Sequence, residues 1–126
     1  MPAVNDESRI ERARFIAEAA LGVKAERLVA LDVRAVTSYA DTLIIATGNS
    51  DRHARSIADA IKAAVTARGE NPLGVEGHEE GRWVLIDLGD IIVHIFLADV
   101  REEYDLERLW SDAPPLEIEG VTAAVG

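Results

Sequence analysis

At 126 residues the chain has room for one domain, and 48% apolar content is enough to build a core. The absence of cysteine excludes disulfides, thiolate zinc sites and thiol catalysis, and suits a reducing cytosol. The net charge of −10 is unevenly spread: residues 1–75 carry ten acids and ten bases, whereas residues 76–126 carry thirteen acids against Arg82, Arg101 and Arg108.

In chain order, Asn5–Leu21 has helical periodicity. Ile10, Ala13, Ala17, Ala20 and Leu21 recur every three or four positions, Ser8 and Glu11 have capping-box spacing, and Gly22 ends the run. The start, with Asn5, Asp6 and Glu7, lacks the basic and apolar regions of a signal peptide. Two strands follow, Arg27–Val33 and Thr42–Thr47, joined by the polar turn Thr37, Ser38, Tyr39, Asp41. The second is apolar on both faces, the pattern of a strand covered from two sides. After Gly48-Asn49-Ser50 the stripe Ala54, Ile57, Ala58, Ile61, Ala64 and Val65 predicts an amphipathic helix ending at Gly69. A short extended piece, Leu73–Glu76, leads to two β-rich runs, Arg82–Asp87 and Ile91–Leu97, around Leu88-Gly89-Asp90, a hairpin signal. The run Ile91–Ala98 is interrupted by His94 and is far too short to cross a bilayer. Asp99–Trp110 predicts a last helix or pair of helical turns, Pro114-Pro115 ends it, and residues 113–126 are expected to form a loosely ordered tail beyond a domain of residues 1–112. The order specifies an α/β (α+β) domain with a mixed sheet of about five strands and helices packed on its faces, but leaves strand order open.

The usual chemical constellations fail. No serine lies in a Gly-x-Ser-x-Gly elbow, and Ser50, three residues before His53, is better explained as an N-cap. His78, Glu79 and Glu80 are consecutive and do not converge on a metal, and His94, alternating with Val93 and Ile95, fits a packed histidine. Gly48-Asn49-Ser50 with Arg52 and His53 could attract an anion at a helix start, but the lysine and glycine spacing of a P-loop is missing. Asp87 and Asp90 flank a turn, where aspartate is a common turn residue. The basic residues form no stripe and the net charge has the wrong sign for nucleic acid. What is left is binding. Trp83, Tyr104 and Trp110 stand among acids, with the composition of interface anchors, although a small core would claim the same tryptophans. The acidic half would attract a basic protein; it would also serve solubility.

One resemblance narrows this. Ala30-Leu31-Asp32-Val33, Ala40-Asp41, Ile45-Ala46-Thr47-Gly48-Asn49-Ser50 with Arg52-His53, Gly74-Val75-Glu76-Gly77, Trp83 to Asp90, Val93-His94 and Tyr104 to Trp110 together resemble the ribosomal silencing factor family, also called Iojap-related, from about Glu7 to Asp112. The resemblance implies a nucleotidyltransferase-like domain without the enzyme activity and without a cofactor. It implies a cytoplasmic translational repressor that binds ribosomal protein fourteen of the large subunit and sterically blocks joining of the small subunit when nutrients are short. It places partner contacts at Trp83 and Leu88, with Asp87, Asp90, Tyr104, Asp105 and Glu107 as companions and Arg52 and His53 as further family positions. Neither nucleic-acid recognition nor a membrane enters this expectation, and a homodimer off the ribosome is compatible with it. A large-subunit assembly factor, or an enzyme that kept nucleotide handling at Gly48–His53, is the alternative. Two departures stand out: Thr42-Leu43 stands where aromatics are frequent in the family, and the stretch after Pro114 matches none of the motifs that carry the resemblance.

Overall fold

The computed structural model describes residues 6–116 and 118. Helix α1 (Asp6–Gly22) is followed by β1 (Glu26–Asp32), β2 (Thr42–Gly48), α2 (Asp51–Ala67), β3 (Gly74–Glu76), β4 (Trp83–Asp87), β5 (Ile91–Leu97), α3 (Ala98–Tyr104) and α4 (Leu106–Leu109). Because α1 already runs from Asp6, Ser8 lies inside its first turn rather than capping it. The last predicted helix is broken in two at Asp105, whose φ of 48° is left-handed and reverses the chain between α3 and α4.

The five strands form one mixed sheet in the order β1-β2-β5-β4-β3. Only the β2–β5 pair is parallel. The chain leaves β2, crosses over through α2, lays down β3 and β4, and returns by the hairpin to place β5 beside β2. Alternation sorts the side chains onto two faces. Leu28, Ala30, Ile44, Ala46, Val84, Ile86, Val93 and Ile95 point to the face covered by α1 and α2, where Ala13, Ile16, Ala17, Ala20, Ile57 and Ile61 are fully buried. Each isoleucine closed off there contributes about 1.5–3 kcal/mol of transfer free energy. Val29, Leu31, Leu43, Ile45, Ile92 and Phe96 point to the other face, which α3, α4 and the residues around Ala40 cover. That second cover leaves β4 and β3 partly bare while Val29 and Leu31 of β1 stay buried, and this asymmetry creates the candidate site.

The stretch from Ala113, expected to be loose, is docked over its described part. Pro114 and Leu116 bracket β1: the Asp32 N–H donates to the Pro114 carbonyl and the Leu116 N–H to the Ala30 carbonyl, both at 2.8 Å. Leu31 forms a bridge with Pro115. Ala113 and Ile118 are buried. Proline lacks the N–H but keeps its carbonyl, so a proline pair ends a helix while still accepting a bond from a sheet edge. The rest of the predicted tail lies outside the described residues.

One glycine fixes the approach to the hairpin. Gly77 has a φ of 77°, and a Cβ there would collide with the Trp83 carbonyl oxygen. Left-handed strain and a backbone clash combine, so Gly77→Ala is expected to destabilise the domain by about 2–3 kcal/mol, read as a lower urea midpoint with an unchanged slope. A change below about 0.5 kcal/mol would show that the loop relaxes freely.

Candidate docking face

Strand β4 alternates Trp83, Leu85 and Asp87, all half-buried, with the fully buried Val84 and Ile86. The first three look out from the thinly covered face. In the ladder Trp83 stands opposite Phe96, Leu85 opposite His94 and Asp87 opposite Ile92. Glu76 of β3 is the partner of Leu85 on the other side, and it is exposed. The result is an apolar strip with a carboxylate at each side.

Trp83 is the centre of an aromatic cluster. Its ring lies 5.0 Å from Phe96, 5.8 Å from His94 and 4.7 Å from Tyr104, while His94 and Phe96 stack at 5.9 Å. The indole N–H donates to His94 Nδ1 at 2.9 Å. An Nδ1 that accepts requires a neutral ring protonated at Nε2. Burial does the same by penalising the cation, and brings the His94 pKa down to about 4.

This depression has a consequence for stability. The unfolded chain takes up the His94 proton near pH 6.5 while the folded chain resists it until about 4. Stability contributed by the neutral ring is therefore complete above pH 6.5 and falls as pH drops towards 4, by up to about 3 kcal/mol. Chemical denaturation across that window is expected to show the slope, and His94→Phe to flatten it. An equal slope in the variant would assign it elsewhere.

Tyr104 is 53% exposed and is carried on the α3–α4 corner. Arg101, only 2% exposed, holds that corner in place. Its guanidinium donates to Thr47 Oγ1 and the Arg27 carbonyl, each at 2.7 Å, and grips Glu107 through two bonds of 2.9 and 3.0 Å. Those hydrogen bonds hold the Glu107 carboxyl below the usual carboxylate range. Glu102, Glu103 and Asp105 around Tyr104 are exposed. Tyr39, 61% exposed, meets Trp110 edge-on at 6.4 Å further along the same cover.

The predicted site residues thus divide. Trp83, Tyr104, Asp87 and Asp105 lie on or beside the open face. Leu88 does not: it is 9% exposed and packs into the helix-side core. Positions 84, 86 and 88 share one parity, so Leu88 follows Val84 and Ile86 inward. Asp90 is committed at 2.6 Å to Arg12 of α1, which also grips Glu70. Its carbonyl accepts from the N–H groups of Asp41 and Thr42. Asp87 caps its own turn by accepting the Gly89 N–H at 2.9 Å. Glu107 is the partner of Arg101 and is a strut before it is a contact. Residues that the sequence did not single out, Leu85, Phe96 and the buried Arg101, complete the face.

The helix start at α2 is knit together internally. The Ser50 hydroxyl accepts the His53 backbone N–H at 3.0 Å, the Asn49 N–H donates to His53 Nδ1 at 2.9 Å, and His53 Nε2–H donates to the Val23 carbonyl at 2.7 Å. One imidazole nitrogen thus ties α2 to the β2–α2 turn and the other ties it to the residue that follows α1. Arg52 is exposed beside them. His78 is bonded to Asp59 at 2.8 Å. Among the described residues no helix is long and apolar enough to cross a membrane.

The chain is similar to known proteins over most of its length. The family model described as "Ribosomal silencing factor during starvation" matches residues 6–125. A ribosomal silencing factor of Halalkalibacterium halodurans is 46% identical over 98 residues, covering 78% of this chain and 84% of that protein. The crystal structure of a Chromobacterium violaceum protein superposes with a TM-score of 0.78 at 35% identity, covering 92% of each chain. A mouse protein named for mitochondrial assembly of the ribosomal large subunit is 29% identical over 76 residues, 58% of this chain and 33% of that one. The five-stranded α+β fold, the motif order and these likenesses agree: the chain belongs to the ribosomal silencing factor family.

Proposed function

We propose that this protein represses translation in the cytoplasm by docking, through the face centred on Trp83, on ribosomal protein fourteen of the large subunit, and that its bulk there bars the small subunit. The observation that carries this is the open strip of Trp83, Leu85 and Tyr104 on an otherwise covered sheet, edged by Glu76, Asp87, Glu102, Glu103 and Asp105. An aromatic centre with an acidic rim complements a basic protein surface, the charges speeding encounter and the rings supplying most of the affinity. A patch of roughly 800 Å² is the ordinary size for one side of such an interface. The same excess of negative charge disfavours direct contact with RNA.

The action is occlusion and no chemistry is required. Ser50, His53, Asp87 and Asp90, the residues an enzyme at the α2 start or the hairpin would use, are each engaged in bonds that hold the fold. Calorimetry with magnesium and nucleoside triphosphates is expected to show no binding heat. Off the ribosome the apolar strip can cover itself in a homodimer. Titration of the isolated ribosomal protein tests the docking itself: one-to-one binding that weakens as salt rises supports it, and salt-independent or absent binding contradicts it. The mouse relative's name favours a second reading, in which docking on the large subunit serves its assembly. Accumulated large-subunit precursors in cells lacking the protein would select that reading, and normal precursors with excess joined ribosomes in starvation would select silencing.

A further inference from the structure

We infer that His94 is a positioning residue for this docking face: it holds the Trp83 indole in the orientation in which the partner meets it. The inference rests on the docking reading for its purpose and on the geometry for its content. Trp83 and His94 are diagonal neighbours across the β4–β5 ladder, since the direct partner of Trp83 is Phe96 and that of His94 is Leu85. A tryptophan on a sheet face could lie along its own strand or lean over the next. The bond of 2.9 Å from its N–H to His94 Nδ1 selects the second arrangement and leaves the ring 4.7 Å from that of Tyr104. His94 itself has little freedom, being 9% exposed and stacked on Phe96 at an interplanar angle of 8°. Burial keeps the imidazole neutral, so its acceptor stays available at neutral pH. A rigid histidine thus fixes an exposed-edge tryptophan, which lowers the ordering cost the face would otherwise meet on binding. Histidine suits the place because the ring supplies both the acceptor and the flat surface against Phe96, a pairing that neither asparagine nor phenylalanine supplies alone.

The test uses the full chain labelled with nitrogen-15, whose two tryptophans give two indole signals. The Trp83 signal, assigned by its loss in Trp83→Phe, is expected downfield and slow to exchange. In His94→Phe it should move upfield and exchange faster, and retention on purified large subunits should weaken roughly tenfold, the loss of one buried bond. His94→Asn, which places an acceptor near the Nδ1 position, should recover part of both. In a Trp83→Phe background His94→Phe should cost no further affinity, because no indole N–H is left to hold. A His94→Phe chain that binds as tightly as the unaltered one overturns the inference, as does an unchanged indole signal. If that variant does not fold, the unaltered chain still decides: a Trp83 N–H exchanging like free indole overturns the inference. Failure of the docking reading is seen separately, as an unaltered chain that large subunits do not retain.

Discussion

A Trp83→Glu chain is expected to lose binding to large ribosomal subunits by at least about a hundredfold while keeping its fold. Trp83 touches Phe96, His94 and Tyr104 on one side and is half open on the other, which is the position of a hot-spot residue whose truncation typically costs about 2–4 kcal/mol of binding. Glutamate adds a carboxylate at the centre of a strip whose charges all lie on the rim, so the partner would have to desolvate it without a matching cation. The fold should survive because the side chain can reach solvent from β4 and the helix-side core is untouched. A loss of about 2 kcal/mol is expected, within the usual 5–15 kcal/mol of a domain. Cosedimentation and circular dichroism read the two quantities separately. On the opposite side of the sheet, Lys62→Glu on α2 should bind normally. Tight binding by the Trp83→Glu chain with a native spectrum would remove Trp83 from the interface.

Arg101→Ala should be the most destabilising change on the thinly covered face, by about 3 kcal/mol. A guanidinium that is 2% exposed is tolerable only because four bonds engage it: two to Glu107, one to Thr47 Oγ1 and one to the Arg27 carbonyl. Removing it leaves the carbonyl without that donor, opens a void beneath α3 and frees Glu107. Breaking a buried pair by deleting one member costs about 3–5 kcal/mol, and the lower end applies because Glu107 can turn to water. The melting temperature should fall by about 10 °C. Arg101→Lys should recover little, since an ammonium cannot reproduce the two-pronged grip on Glu107. A loss below 1 kcal/mol would show that α3 and α4 hold to the sheet without this residue. The α3–α4 corner carries Tyr104, so loosening should weaken subunit binding as well.

How much of this was legible in the sequence follows from the range of each interaction. The elements announce themselves locally: the stripe from Ala54 to Val65 is a helix by its period, and Ser50 is a cap by its position and hydroxyl. Sheet order is not local. The composition of β2 shows that it is covered from two sides, but not that its parallel neighbour is β5, beyond two intervening strands in the chain. At the site, Trp83 and Tyr104 could be singled out by size and surroundings. Leu88 entered the site through the resemblance alone, whereas the alternation through Val84 and Ile86 points it inward, where it is 9% exposed. Asp90 and Arg101 were different. The partners of Asp90 lie 78 residues away in Arg12 and at the start of β2 in Asp41 and Thr42, and those of Arg101 lie 74 and 54 residues away in Arg27 and Thr47. No neighbouring residue shows that a charge in an acidic run is the buried one. His94 was readable as a packed histidine, but not as the acceptor for Trp83, because diagonal contacts depend on register.

Adding small subunits to purified large subunits preloaded with this protein, and following joining by light scattering, tests the central claim most directly. Joining is expected to fall in proportion to the occupied fraction and to recover with the Trp83→Glu chain. Equal joining at full occupancy would show that the protein sits on the large subunit without closing it to its counterpart, and occlusion would then be wrong.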